Sequence, residues 1–136
     1  IDYFEAAFPE GRLLPSDPAP AALARNIERT LEMRVTYDLA WWVHFTKSPI
    51  DYEPDPDKAA ELLSKMQAGL HYAEQLLGDG REFLTGDQPS IADCTVAAFL
   101  QFMRYTGGDL IAEHPALRAW DTRYRGRPEV ASVKSP

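Results

Sequence analysis

Residues 91–105, IADCTVAAFLQFMRY, are apolar on almost every side of a helix. A helix at the surface of a domain shows one apolar stripe, whereas a helix apolar all round needs neighbours on all sides and belongs at the centre of a bundle. Its start is legible. Ser90 and Asp93 form an S-x-x-D capping box, in which the Ser90 hydroxyl can accept from the Asp93 N–H while the Asp93 carboxylate reaches back to the N–H of Ser90. Pro89 and Cys94 take the two positions of a hydrophobic staple, and Gly107 and Gly108 stop the helix. Loss of the box and of the negative charge at the positive helix end predicts that Asp93→Ala costs on the order of 1–2 kcal/mol.

The remaining segments are helices of the ordinary amphipathic kind. Asp17 caps a long one, with Pro18 and Pro20 at positions whose N–H has no helical partner anyway. Leu23, Ile27, Leu31, Val35, Leu39 and Trp42 form its core arc, and the pattern runs to about Lys47 with no internal Gly or Pro. After the break SPIDYEPDP, Asp55 and Pro56 repeat the same start. Ala59, Leu62, Met66, Leu70, Ala73 and Leu77 then recur at 3–4 spacing, and Gly78 is expected to end the helix in a left-handed conformation. A last helix opens at Pro115 with Leu117, Trp120 and Tyr124 on one face, is broken by Gly126, and Pro128 opens one more turn. At the other end, 1–8 reads as a helix joined in progress, with Ile1, Phe4 and Phe8 at helical spacing. Residues 9–20 carry four prolines and read as a linker. No period-2 alternation occurs. The expectation is an all-α bundle of about five helices with 90–105 as its buried centre.

At 136 residues the chain suits one domain with a sizeable core, and a single Cys excludes an internal disulfide framework. The net charge of −7 disfavours a nucleic acid or an anionic membrane as partner. Arg118, Arg123, Arg125 and Arg127 read as cations gathered at a helix C-terminus. No apolar run approaches the ~20 residues that span a bilayer, and no signal-peptide pattern opens the chain.

Chemistry-bearing motifs are sparse. His44, His71 and His114 lie on separate segments without metal-ligand spacing, so no metal is expected. Cys94, near the start of the central helix, reads as a packing residue. Asp51, Glu53, Asp55 and Asp57 flank a solvated loop. The cluster Tyr37, Trp41, Trp42, His44 and Phe45 is more informative. Trp42 lies on the core arc, but Met33 and Tyr37 project from the other side, with Trp41 at the boundary. A helix apolar on two sides meets two surfaces: its own bundle, and a partner subunit, another domain or a bound apolar molecule.

Together these features resemble the C-terminal helical domain of glutathione transferases. Tyr3-Phe4-Glu5 through Phe8-Pro9 and Arg12-Leu13-Leu14-Pro15-Ser16-Asp17-Pro18 look like that family's interdomain junction. Phe83-Leu84-Thr85-Gly86-Asp87 followed by Ser90-Ile91-Ala92-Asp93 looks like its capping box. His114-Pro115-Ala116-Leu117, Trp120 and Arg127-Pro128 resemble its final helices. The resemblance implies that 1–8 end the last helix of a thioredoxin-like domain absent from this sequence, that 9–18 are the linker and that 19–136 are the helical domain, folded as a right-handed bundle. It also implies a cytoplasmic, homodimeric detoxification enzyme that joins the thiol of glutathione, its co-substrate, to an apolar electrophile.

The groups that bind glutathione and activate its thiol all belong to the thioredoxin-like domain. No catalytic residue therefore maps onto this chain, which is expected to be inactive alone, and Ser90 is not a catalytic serine. What carries over is the hydrophobic co-substrate wall on the first long helix, for which Met33, Tyr37 and Trp41 are the candidates. The competing reading is a non-catalytic helical docking or ligand-carrier module.

Overall fold

A computed structural model describes residues 1–131. Short helix α1 (Asp2–Ala7) leads through a 3₁₀ turn to α2 (Pro18–Leu31), which continues through a π-helical turn (Glu32–Thr36) into α3 (Tyr37–Lys47). Then follow α4 (Pro56–Leu77), α5 (Ile91–Thr106), α6 (Pro115–Arg125) and the single turn α7 (Pro128–Ala131). The end of the last predicted segment, 132–136, lies outside the described residues. Among those described there is no strand, only one antiparallel bridge between Phe83 and Gly86, and the fold is all-α as expected.

The core forms where α3 packs along α4, α2 against α5 and α4 against α6. Ile27, Leu31, Val35 and Leu39 meet Met66, Leu70 and Ala73 of α4, Val96 and Leu100 of α5, and Leu117 and Trp120 of α6. A smaller cluster of Leu14, Ala24 and Ile91 pins the linker to the bundle. The Glu5 carboxylate supports it by accepting from the N–H groups of Leu13 (2.9 Å) and Leu14 (3.3 Å).

Asp93 is the busiest side chain of the interior and is fully buried. Both halves of the capping box with Ser90 are made. One carboxylate oxygen accepts from the Ser90 N–H and hydroxyl, each at 2.9 Å. The other accepts from the Leu84 N–H at 2.9 Å and the Trp120 indole N–H at 3.1 Å. One residue thus joins the start of α5, the turn before it and the centre of α6. The start of α6 is capped from a distance as well: the Glu74 carboxylate of α4 accepts from Ala116 and Leu117 at 2.9 and 2.8 Å, while His114 supplies no side-chain cap.

Four expectations need correction. Leu23 is exposed and the arc of α2 runs instead through Ala24, because the core lies on the Leu31 side of Ile27 and leaves Leu23 at the rim. Gly78 is right-handed at φ −67°. The left-handed position falls two residues on, at Gly80 with φ 84°, since a 3₁₀ closure from the Gly78 N–H to Gln75 already ends α4. The central helix is not buried all round: Ala98, Gln101, Phe102 and Tyr105 face outward, because no described helix covers the C-terminal half of α5 on that side.

The fourth correction concerns the long helix, which is not regular throughout. Leu31, Val35, Leu39 and Val43 are all fully buried, yet residues four apart precess by about 40° per step on a straight α-helix. The wider π turn at Glu32–Thr36 absorbs part of that drift. α4 approaches the turn at Gly69, where a Cβ would lie 2.5 Å from Val35 Cγ2 and 2.9 Å from Arg34 Cβ.

Two stability predictions follow. Asp93→Ala leaves the N–H groups of Leu84, Ser90 and Trp120 without their partner in the interior, so the loss should reach about 3 kcal/mol or more, beyond that of a cap alone. Denaturant melts giving only ~1 kcal/mol would reduce Asp93 to a cap. Gly69→Ala should lower Tm despite alanine's gain of about 1 kcal/mol in helix propensity, because Val35 must be displaced.

Candidate functional site

The π turn also sets the outer face of the long helix. Met33, Tyr37 and Trp41 are four residues apart, and the slowed precession keeps them in one row away from the core. Met33 is 64% exposed and Tyr37 68% exposed. A thioether and a phenol ring so placed offer polarizable, apolar surface.

Trp41 differs from its two neighbours in being half-buried. Its indole stacks on Phe45 with centroids 6.0 Å apart and meets His44 and Tyr52 edge-on at 5.8 and 5.9 Å. Tyr52 arrives from the loop after α3, which folds back over the helix. The Asp55 N–H donates to the Phe45 carbonyl at 2.9 Å. Ser48 Oγ accepts from the Ile50 N–H at 3.1 Å and lies 3.1 Å from His44 Nδ1. Asp51 takes the left-handed conformation, φ 58°, that turns the chain. Asp55 caps α4 through the Lys58 N–H, and that bond, then the Lys58 ammonium, holds its carboxyl below the usual range. Sequence reasoning placed Trp41, His44 and Phe45 together but missed Tyr52. Its signal was weak: a tyrosine amid acids and prolines, in a stretch that reads as plain solvated loop.

The other candidates are dispersed. Cys94 is half-buried with its Sγ 3.7 Å from the Tyr124 hydroxyl. Burial, then that contact, pushes the Tyr124 phenol up, and its ring stacks on Trp120 at 4.9 Å. His71 is exposed and His114 buried. Among the described residues, no three His, Cys, Asp or Glu side chains converge as metal ligands, and no helix is long and apolar enough to cross a membrane. The arginines expected to gather at one helix end are drawn apart by separate partners. Arg118 pairs with Asp109 and Arg125 with Asp121. Arg123 donates to the Glu82 carbonyl, and Arg127 lies over the rings of Phe83 and Tyr124.

With this geometry in hand, comparison with known proteins is informative. Residues 56–120 match the family described as glutathione S-transferase, C-terminal domain. Glutathione S-transferase 2 of Saccharomyces cerevisiae is 38% identical over 65 residues, which are 48% of this chain and 28% of that protein. The crystal structure of Gtt2 from the same yeast superposes with a TM-score of 0.78 at 25% identity, covering 96% of this chain and 64% of that one. A glutathione transferase from Burkholderia graminis, solved with two glutathione molecules bound per subunit, gives a TM-score of 0.78 at 25% identity, over 96% of this chain and 57% of that one. The chain thus spans only part of each relative. Together, the matched segment, from α4 into α6, and the superposed fold of the described residues make this chain similar to the C-terminal domain of glutathione S-transferases.

Proposed function

We propose that this chain is the co-substrate-binding half of a glutathione transferase-like enzyme, with Met33, Tyr37 and Trp41 as the wall against which an apolar electrophile rests. The observation that carries the reading is the row itself: two large exposed apolar side chains and a half-buried indole in line on the outer face of a helix whose other face is core. Scattered surface apolar residues are ordinary, whereas an aligned set backed by an aromatic cluster supports a contact surface, here read as one for a ligand. Its rings favour a planar aromatic electrophile, which stacks on an indole or phenol face.

In this reading the glutathione thiol is supplied by the part of a longer subunit that the matched relatives possess beyond the region shared with this chain. Attack of the thiolate on the electrophile is then accelerated chiefly by proximity, and the residues here hold the electrophile and exclude water on its far side. The exposed Ile1, Tyr3, Phe4 and Phe8 of the α1 segment, with Phe4 stacked on Phe8 at 6.2 Å, form a second apolar surface, proposed as the seat of that other part. Homodimerisation is proposed as well, and is expected to be weak for this chain alone because its net charge of −7 opposes association.

Tryptophan fluorescence tests the wall. An apolar dye should quench or shift Trp41 emission, and Trp41→Phe should abolish most of that response, since Trp42 and Trp120 are buried. An unchanged response in the variant would put the wall on the wrong face. The 136 residues alone should conjugate a chlorinated aromatic to glutathione no faster than the uncatalysed reaction. Turnover clearly above that rate would mean that the thiol is activated within this chain, and would overturn the division of labour.

A further inference from the structure

The row on the outer face of the long helix has one open end and one closed end. Met33 and Tyr37 are largely exposed, whereas Trp41 and Phe45, the next residues at the same four-residue spacing, are half-buried. The cover comes from the loop at 48–55 and the start of α4. The Tyr52 ring stands edge-on to the Trp41 indole at 5.9 Å, lies tilted over His44 at 5.2 Å, and is itself 45% exposed. One turn past Trp41, the Lys58 ammonium sits over the Phe45 ring at 5.1 Å and pairs with Asp55 at 3.1 Å. Because His44 lies three residues past Trp41, a ring that touches both stands at the C-terminal end of the row.

The loop that carries Tyr52 has little room to yield. Ser48 Oγ meets His44 Nδ1 at one end, the Asp55 N–H donates to the Phe45 carbonyl at the other, and Asp51 makes the turn between them in the left-handed conformation. Both anchors lie on α3 itself, so the ring is fixed relative to the helix it covers. The part of the row left open runs from Met33 to Trp41, roughly 12 Å of helix axis. An apolar molecule laid along it meets a thioether, a phenol and an indole, and then the ring of a second tyrosine. A ring held in that posture stops a ligand by its bulk, since closely packed groups tolerate contact but not overlap.

We propose that Tyr52 is a specificity-determining residue, an end stop that limits the electrophile to aromatic molecules short enough to lie between Met33 and Trp41. The proposal rests on the reading of the α2–α3 row as the co-substrate wall, and adds to it the size of what that wall accepts. One or two rings in line fit the open row. Three in line are longer than it and run into Tyr52, and removing the Tyr52 ring opens the way to His44 and Phe45 behind it.

Calorimetric titration of the chain with para-chlorobenzamide and its two- and three-ring para-phenylene homologues tests this. In the parent, affinity should rise from one ring to two and then rise no further, since the third ring finds the row closed. Tyr52→Ala should strengthen the three-ring compound by roughly three- to tenfold and leave the one-ring compound within about twofold. Damage to the fold does not produce a gain of binding, so this variant separates a stop from a structural support. Tyr52→Phe keeps the ring and should behave as the parent. A Phe variant that behaves like the Ala one would move the effect to the hydroxyl and overturn the stop. So would affinity that climbs steadily through all three compounds in the parent, or a Tyr52→Ala variant that keeps the parent's preference. Tyr37→Ala tells the two readings apart. If it weakens the compounds while Tyr52→Ala changes nothing, the wall stands and only the stop falls. If it leaves all three bound as in the parent, the wall itself is misplaced and the stop falls with it.

Discussion

A single buried carboxylate organises this domain. Taking Asp93 out of water without partners would be costly, and its four accepted hydrogen bonds are what make the burial tolerable. Those bonds leave it little freedom. Ser90 can only stand as the cap before α5, Leu84 can only turn toward it, and the Trp120 indole can only enter with its N–H foremost. The register of α6 against α5 and the path of the preceding turn are therefore coupled to one side chain, and the apolar contacts of Val96, Leu100 and Leu117 fill the space that coupling defines.

The second organising feature is the π turn of the long helix. Buried residues four apart suit a helix more weakly wound than the regular one, and the turn reconciles that spacing with a flat interface against α4. The close approach at Gly69 is the packing counterpart of the same adjustment. Its consequence appears on the opposite side, where Met33, Tyr37 and Trp41 stay in line. Core packing and the shape of the proposed ligand surface are thus two results of one backbone irregularity.

Much of this was legible in the sequence, because the informative signals are local. Asp17-Pro18, Asp55-Pro56 and Ser90-Ile-Ala-Asp93 mark helix starts through hydrogen bonds spanning two or three residues, and the structure makes each cap. The apolar spacing of α4 and α6 named their buried faces. What escaped was long-range or cumulative. Nothing near Leu84 or Trp120 announces that both donate to Asp93, nor does anything near Pro115 point to Glu74, forty residues away in the chain. The π turn leaves no Gly or Pro to betray it. The outward face of α5 was misjudged because Phe102 and Tyr105 are apolar by composition, while their exposure is decided by where the neighbouring helices stop. At the candidate site, Met33 and Tyr37 were found by their position opposite the core arc, but Tyr52 reached Trp41 through a folded-back loop that periodicity cannot see.

The central claim is that an apolar ligand rests on the outer face of the long helix. The chain offers a direct reporter, since it has three methionines, of which Met66 and Met103 are buried in the core and Met33 stands in the proposed wall. NMR spectra of the methyl-labelled methionines, recorded while a planar chlorinated aromatic is added, measure contact at the wall separately from any response of the interior. The account predicts that the Met33 methyl resonance shifts progressively to saturation while those of Met66 and Met103 hold their positions. A ligand that binds and leaves Met33 unmoved would contradict it.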